Sequence, residues 1–177
     1  KLKSQRNGRI IMVNSEGHRF AAWGLRLDDL NWAKRRYSGL GSYGSAKLAQ
    51  LLSVIVFDEK LKETGVSINA MHPGAVKTET GQENGPVYRW FKRNFIDRTL
   101  KSPGISAEAL FCLGASEKME GISGKFFNLT REEEPAPPAL DIEMAGELWH
   151  LSLKYSGLQQ KEPDGAKELQ PVTPANH

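Results

Sequence analysis

The hydrophobic positions along this chain change period several times, and each change marks an element. Arg9-Ile10-Ile11-Met12-Val13 is a short unbroken apolar run, the pattern of a strand covered on both faces in a parallel sheet. From Glu16 to Leu40 no period survives. The reading there is a long loop with at most one irregular turn, its Phe20, Trp23 and Trp32 packing against neighbouring structure. Tyr43 to Glu63 then repeats its apolar residues every three to four positions. Leu48, Leu51, Leu52, Ile55 and Leu61 form one stripe and Val54, Val56 and Phe57 widen it, which predicts a helix of about five to six turns. Gly65 ends it, and Val66, Ile68 and Ala70 alternate with Ser67, Asn69 and Met71 into a second strand stopped by His72-Pro73-Gly74.

Strand, helix, strand is a parallel crossover. Such units are right-handed and set the loops at the carboxyl ends of neighbouring strands side by side, so the loops after Val13 and Met71 should meet. Beyond a variable stretch from Thr78 to Ser102, the pattern predicts a short helix over Ser106 to Ser116 and a third strand over Gly124 to Asn128. A loop over Glu132 to Pro138 and a final amphipathic helix over Asp141 to Tyr155 follow. From Gln159 onward Pro, Gly, Lys, Glu and Gln dominate, which predicts a folded domain over 1–158 and a disordered tail over 159–177. The chain has no initial methionine and enters on a polar lead-in, as a chain begun in its middle would.

Composition narrows the class without choosing a function. With 177 residues, 39% hydrophobic and 25% charged, the chain is long enough to bury a core and reads as an ordinary globular protein. Its 24 basic and 21 acidic side chains leave only +3, which calls for no nucleic-acid partner. The single Cys112 excludes an internal disulfide framework and suits a reducing compartment inside the cell. Four scattered histidines suggest no metal site; His18, in its loop, stands where it could border a pocket. The longest apolar run, Val54 to Phe57, falls well short of a membrane span, so the chain reads as soluble.

The chemistry concentrates at Tyr43-Gly44-Ser45-Ala46-Lys47. A tyrosine hydroxyl titrates near pH 10, and it exchanges protons at neutral pH only where a positive charge stabilises the phenolate. A lysine one helical turn away can do that. The spacing alone is weak evidence, since chance supplies about 0.3 occurrences in such a chain, and Tyr88-Arg89-Trp90-Phe91-Lys92 repeats it. Context separates the two: Tyr43 opens a long apolar helix and has Ser15 at the end of a strand upstream. Ser15 is not a hydrolase nucleophile, because Val13-Asn14-Ser15-Glu16-Gly17 lacks the first glycine of a nucleophile elbow. We read no glycine-rich phosphate loop in the chain.

Val13-Asn14-Ser15-Glu16-Gly17-His18, then Tyr43-Gly44-Ser45-Ala46-Lys47, then His72-Pro73-Gly74-Ala75-Val76-Lys77-Thr78, closely resembles the catalytic half of the short-chain dehydrogenase/reductase family. Ser15 to Phe20, Asp28-Asp29-Leu30-Asn31 and Gly124-Lys125-Phe126-Phe127 resemble its retinol-dehydrogenase-like branch. The resemblance covers Arg9 to about Leu158. It implies an α/β fold, the C-terminal part of a Rossmann-type doubly wound parallel sheet with about three strands, whose N-terminal nucleotide-binding half lies upstream. It also implies an NAD(P)-dependent oxidoreductase that interconverts a carbonyl and an alcohol. In that scheme Tyr43 is the general acid or base, Lys47 tunes it and holds the nicotinamide ribose, and Ser15 orients the substrate oxygen. Tyr43, Lys47, Pro73, Gly74, Val76 and Thr78 contact the cofactor, with NADP favoured over NAD by resemblance only.

The same resemblance implies a small or lipophilic carbonyl or alcohol substrate and a homodimer built on the long helix. It makes Val87 to Lys101, with five basic side chains against Asp97, a substrate lid; as a basic amphipathic helix that stretch also suits peripheral contact with a membrane. The family's glycine-rich turn and the asparagine of its catalytic tetrad have no counterpart here, so the isolated chain is expected to lack useful turnover. The alternative is a non-catalytic interaction or regulatory isoform.

Overall fold

The computed structural model describes Leu2, residues 7–74 and residues 102–158. It divides into two compact units, Lys1–Glu16 with Leu61–Glu134 and Gly17–Lys60 with Pro135–His177.

The first unit is built on a four-stranded sheet in the order β1-β2-β3-β4. Strand β1 (Gly8–Val13) runs parallel to β2 (Val66–His72), with Gly8 opposite Val66 and Val13 opposite Met71. Strand β3 (Phe126–Asn128) is parallel to β2, and β4 (Arg131–Glu132) pairs antiparallel with β3. The alternation read in β2 is overtaken by its place in the sheet: Val66, Ile68, Asn69, Ala70 and Met71 are all buried, because strands lie on both sides and cover lies over both faces. Asn69 is tolerated there because its amide Nδ2 donates to the Ile122 carbonyl at 2.8 Å and its Oδ1 accepts from the Lys125 N–H at 2.9 Å. Strand β1, read as buried on both faces, is instead half-buried, with Val13 49% exposed. It has one neighbouring strand among the described residues, which leaves its other flank open.

Two elements start or appear where periodicity gave no warning. Helix α2 (Pro103–Ala115) begins three residues before the predicted start, because Ser102 accepts the Gly104 N–H and Pro103 fills the first turn, where its missing donor costs nothing. Strand β4 (Arg131–Glu132) adds a fourth strand just ahead of the stretch read as a loop, overlapping it only at Glu132. It is two residues long and follows a two-residue hairpin whose Leu129 has φ +56°. Such turns ordinarily announce themselves with Asn or Gly. Here Leu129 packs on the core formed by Met71, Ala109, Leu113, Met119 and Phe127, and that packing offsets the strain.

The second unit centres on α1 (Gly39–Leu61) and α3 (Ile142–Ser156). Helix α1 starts four residues before Tyr43: Ser38 accepts the Gly41 N–H on its hydroxyl at 3.2 Å and the Ser42 N–H on its carbonyl at 2.8 Å. Leu48, Leu51, Leu52, Val54 and Val56 are buried, while Ile55 is only half-buried and Phe57 is 36% exposed. By length and composition α1 is apolar enough to cross a bilayer, contrary to the expectation drawn from consecutive apolar runs. The Phe57 and Trp149 rings meet edge to face at 5.1 Å, joining α1 to α3. Helix α3 is capped by Asp141, which accepts the Met144 N–H, and closed by Gly157 at φ +70°.

Between Glu16 and Leu40 the structure has two 3-10 turns, Glu16–Ala21 and Leu27–Asp29, rather than one irregular turn, and Glu117–Met119 and Pro137–Leu140 form two more further on. Aperiodic sequence hides them because short 3-10 turns follow local polar bonds more than a repeating apolar face. The tail predicted over 159–177 lies outside the described residues.

Candidate active site

Ser15 sits on the loop leaving β1. The Asn14 N–H extends the parallel ladder by one bond, donating to the Met71 carbonyl at 2.7 Å, and the buried Asn14 side chain accepts the Ser15 N–H at 2.6 Å. The loop therefore departs beside the end of β2, where Pro73 and Gly74 begin the next loop. The two loops meet in the first unit, as the parallel crossover requires. Gly74 has φ +79°, and a side chain there would meet Leu129 at 3.2 Å, so the turn needs glycine on both counts. The Pro73 carbonyl accepts the hydroxyl of Ser106 from the first turn of α2, which ties this loop to a rigid element.

Tyr43 and Lys47 come together in the second unit, on the first turns of α1. Tyr43 is 45% exposed, and the Lys47 ammonium lies 5.9 Å from its ring centroid. Lys47 Nζ also donates to the Gln50 side-chain oxygen at 3.0 Å. These three residues lie along one stripe of the helix, one turn apart in succession. Gly44 is buried: a Cβ there would lie 2.8 Å from the Phe20 Cβ and 3.0 Å from the Gly17 carbonyl oxygen. The glycine after Tyr43 thus lets the Gly17–Ala21 backbone lie directly against the start of α1.

The loop ahead of α1 is organised around a buried carboxylate. Asp29 accepts the Lys34 N–H at 3.0 Å and pairs with Arg35 at 3.4 Å; the Arg35 guanidinium lies 3.7 Å over the Trp32 ring. Trp32 in turn comes within 2.7 Å of where a side chain on Gly41 would stand. Neighbouring Asp28 is exposed, and its hydrogen bond from Arg26 holds its carboxyl below the usual range.

One glycine pattern was not anticipated. Gly39-Leu40-Gly41-Ser42-Tyr43-Gly44 has the G-x-G-x-x-G spacing of a dinucleotide loop and opens a helix. Its context differs: no strand leads directly into it, the Ser38 hydroxyl already takes the Gly41 N–H, and Gly41 and Gly44 are given over to Trp32 and Phe20. The spacing serves close packing rather than a phosphate cradle.

His18 is fully buried, and its Nε2 accepts the Ala136 N–H at 3.0 Å, which makes it a structural tie between the Gly17–Ala21 turn and the start of the carboxyl-terminal segment. Val76, Thr78, the second Tyr88/Lys92 pair and the basic stretch from Val87 to Lys101 lie outside the described residues.

No protein-family model matches the chain. Retinol dehydrogenase 13 of Mus musculus is 35% identical over 162 residues, which are 89% of this chain and 48% of that protein. Retinol dehydrogenase 13 of Homo sapiens is 34% identical over 163 residues, 90% and 49% respectively. The chain spans about half the length of these curated relatives. Among solved structures, an uncharacterized protein from Mycobacterium paratuberculosis superposes with a TM-score of 0.60 at 23% identity, covering 85% of this chain and 51% of its own. That likeness shows a shared fold.

Proposed function

We propose, on the premise that this chain belongs to the short-chain dehydrogenase/reductase family in its retinol-dehydrogenase-like branch, that Tyr43 moves the proton in an NAD(P)-dependent interconversion of a carbonyl and an alcohol. The observation that carries this reading is the exposed Tyr43 on the opening turns of α1, with the Lys47 ammonium one turn on and 5.9 Å from its ring centroid.

The residues present fit the nicotinamide end of a dinucleotide. Lys47 carries three N–H donors of the kind that bind ribose hydroxyls, and its Nζ lies on the opening turns of α1, 5.9 Å from the Tyr43 ring centroid. Gly74, at positive φ beside the strand ends, offers backbone with no side chain in the way. The bound nicotinamide would supply or accept the hydride. Tyr43 would hand its proton to the developing alkoxide in reduction and take it back in oxidation. Ser15 would donate its hydroxyl to the same oxygen, steadying the charge from a second side. Val76 and Thr78 complete the proposed cofactor contacts, and NADP is the proposed dinucleotide. The relatives' names point to retinol or a similarly lipophilic alcohol or carbonyl compound as substrate.

In the full-length protein, Tyr43→Phe is expected to lower kcat by about 10²-fold or more while leaving NADPH binding, read by fluorescence titration, within about twofold. Full turnover by this variant would overturn the reading. A second reading, a non-catalytic interaction subunit, draws on the open flank of β1, which is suited to pairing with another strand. Under that reading Tyr43→Phe leaves every function of the protein unchanged.

A further inference from the structure

We propose that Trp32 is a positioning residue for Tyr43: its ring bears on the first turn of α1 and fixes where the tyrosine stands. The proposal rests on the catalytic role proposed above for Tyr43. It begins from a strained residue. Trp32 has φ +60°, a left-handed conformation that bulky side chains rarely adopt and that persists only where the surroundings impose it. Buried Asp29 imposes it. The Asp29 carbonyl accepts the Trp32 N–H at 3.2 Å and its carboxylate accepts the Lys34 N–H at 3.0 Å, so the backbone is held at the strained position and again two residues later.

The ring is restrained as well as the backbone. The Arg35 guanidinium lies 3.7 Å over it, and that guanidinium is tied in turn to Asp29, 3.4 Å from the carboxylate and 3.3 Å from the carbonyl. The Tyr37 ring meets the Trp32 ring edge to face at 5.9 Å. Both aromatic residues lead to α1. A Cβ on Gly41 would stand 2.7 Å from the far end of the Trp32 ring, and the Tyr37 hydroxyl lies 3.0 Å from that of Ser42. Gly41 and Ser42 are the two residues before Tyr43 in the helix. A ring stacked on one side and met edge-on by another does not swing aside at no cost, so a displacement at Gly41 passes to the helix start. The tyrosine hydroxyl must reach the substrate oxygen within hydrogen-bond distance, and a misplacement of about 1 Å can cost about 10²-fold in rate.

The test is a double-mutant cycle in the full-length protein, with retinol oxidation for turnover, NADPH fluorescence titration for cofactor binding and thermal melts for stability. Gly41→Ala should lower kcat about tenfold and leave the NADPH Kd within about twofold, a split between turnover and binding. Trp32→Phe keeps a ring beneath Arg35 but removes the atoms nearest Gly41, and should lower kcat about threefold. In the double variant the methyl has room, so adding Gly41→Ala to Trp32→Phe should cost less than about twofold in kcat, a coupling of about fivefold. Effects on kcat that simply multiply would overturn the proposal, as would losses that follow the melting temperature. If Gly41→Ala does not fold, Trp32→Phe decides alone, and an unchanged kcat overturns it. Tyr43→Phe, measured alongside, separates the two levels: if it turns over normally, the catalytic reading fails and Trp32 has nothing to position. If it is inactive while the cycle shows no coupling, only the role of Trp32 fails.

Discussion

Gly44 shows how much one missing side chain can specify. It follows the proposed catalytic tyrosine, and its backbone touches the Gly17–Ala21 segment so closely that a Cβ would stand 2.8 Å from Phe20 and 3.0 Å from a carbonyl oxygen. Helix propensity alone favours alanine at this position by up to about 1 kcal/mol. The contact reverses the sign: Gly44→Ala should lower stability by about 1–3 kcal/mol, read as a fall in denaturation midpoint at unchanged m value. The sequence shows a glycine in a helix and nothing of its neighbour. Tyr43 and Lys47, by contrast, were legible from spacing and context, because an i,i+4 pair on one helix is a local geometry. Trp32 was not, since a tryptophan in an aperiodic stretch gives no hint of its neighbour, and only the place of its ring against Gly41 singles it out.

At the level of elements, long apolar periods placed α1, β1, β2 and α3 close to their observed bounds. The misses were at ends and in short pieces. Helix α2 starts at Pro103, and the Ser102-Pro103 pair that explains it is a readable cap signal, outweighed in the reading by the apolar residues further on. Ser102→Ala should destabilise the unit by about 1 kcal/mol, visible as a lower melting temperature, because the Gly104 N–H loses its acceptor. Strand β4 and the 3-10 turns had no comparable signal. A two-residue strand behind a Leu-Thr turn is held by the core under Leu129, not by its own propensity.

Taken whole, the chain presents two compact units and a sheet whose first strand has one neighbour among the described residues. A pyrophosphate needs backbone N–H groups free at a helix start, and in the glycine pattern that matches that motif the Gly41 N–H goes to Ser38 while Gly41 and Gly44 pack against Trp32 and Phe20. The isolated 177-residue chain is therefore expected to show no saturable NADPH fluorescence change up to millimolar concentration. Tight binding would mean that a phosphate site exists elsewhere in the chain.

The sequence by itself determined the α/β class, the parallel crossover and the family, and put a tyrosine and a lysine one turn apart on the long helix, because periodicity and short motifs are properties of contiguous residues. Tertiary structure decided what those residues lean on. It turned a dinucleotide-like glycine pattern into a packing seam, made His18 a buried tie, and buried Asn69 by giving its amide two backbone partners. It also set the Trp32 ring against the first turn of α1. Most of these contacts join residues far apart along the chain, and the rest turn on a side-chain conformation, so no window of sequence contains them.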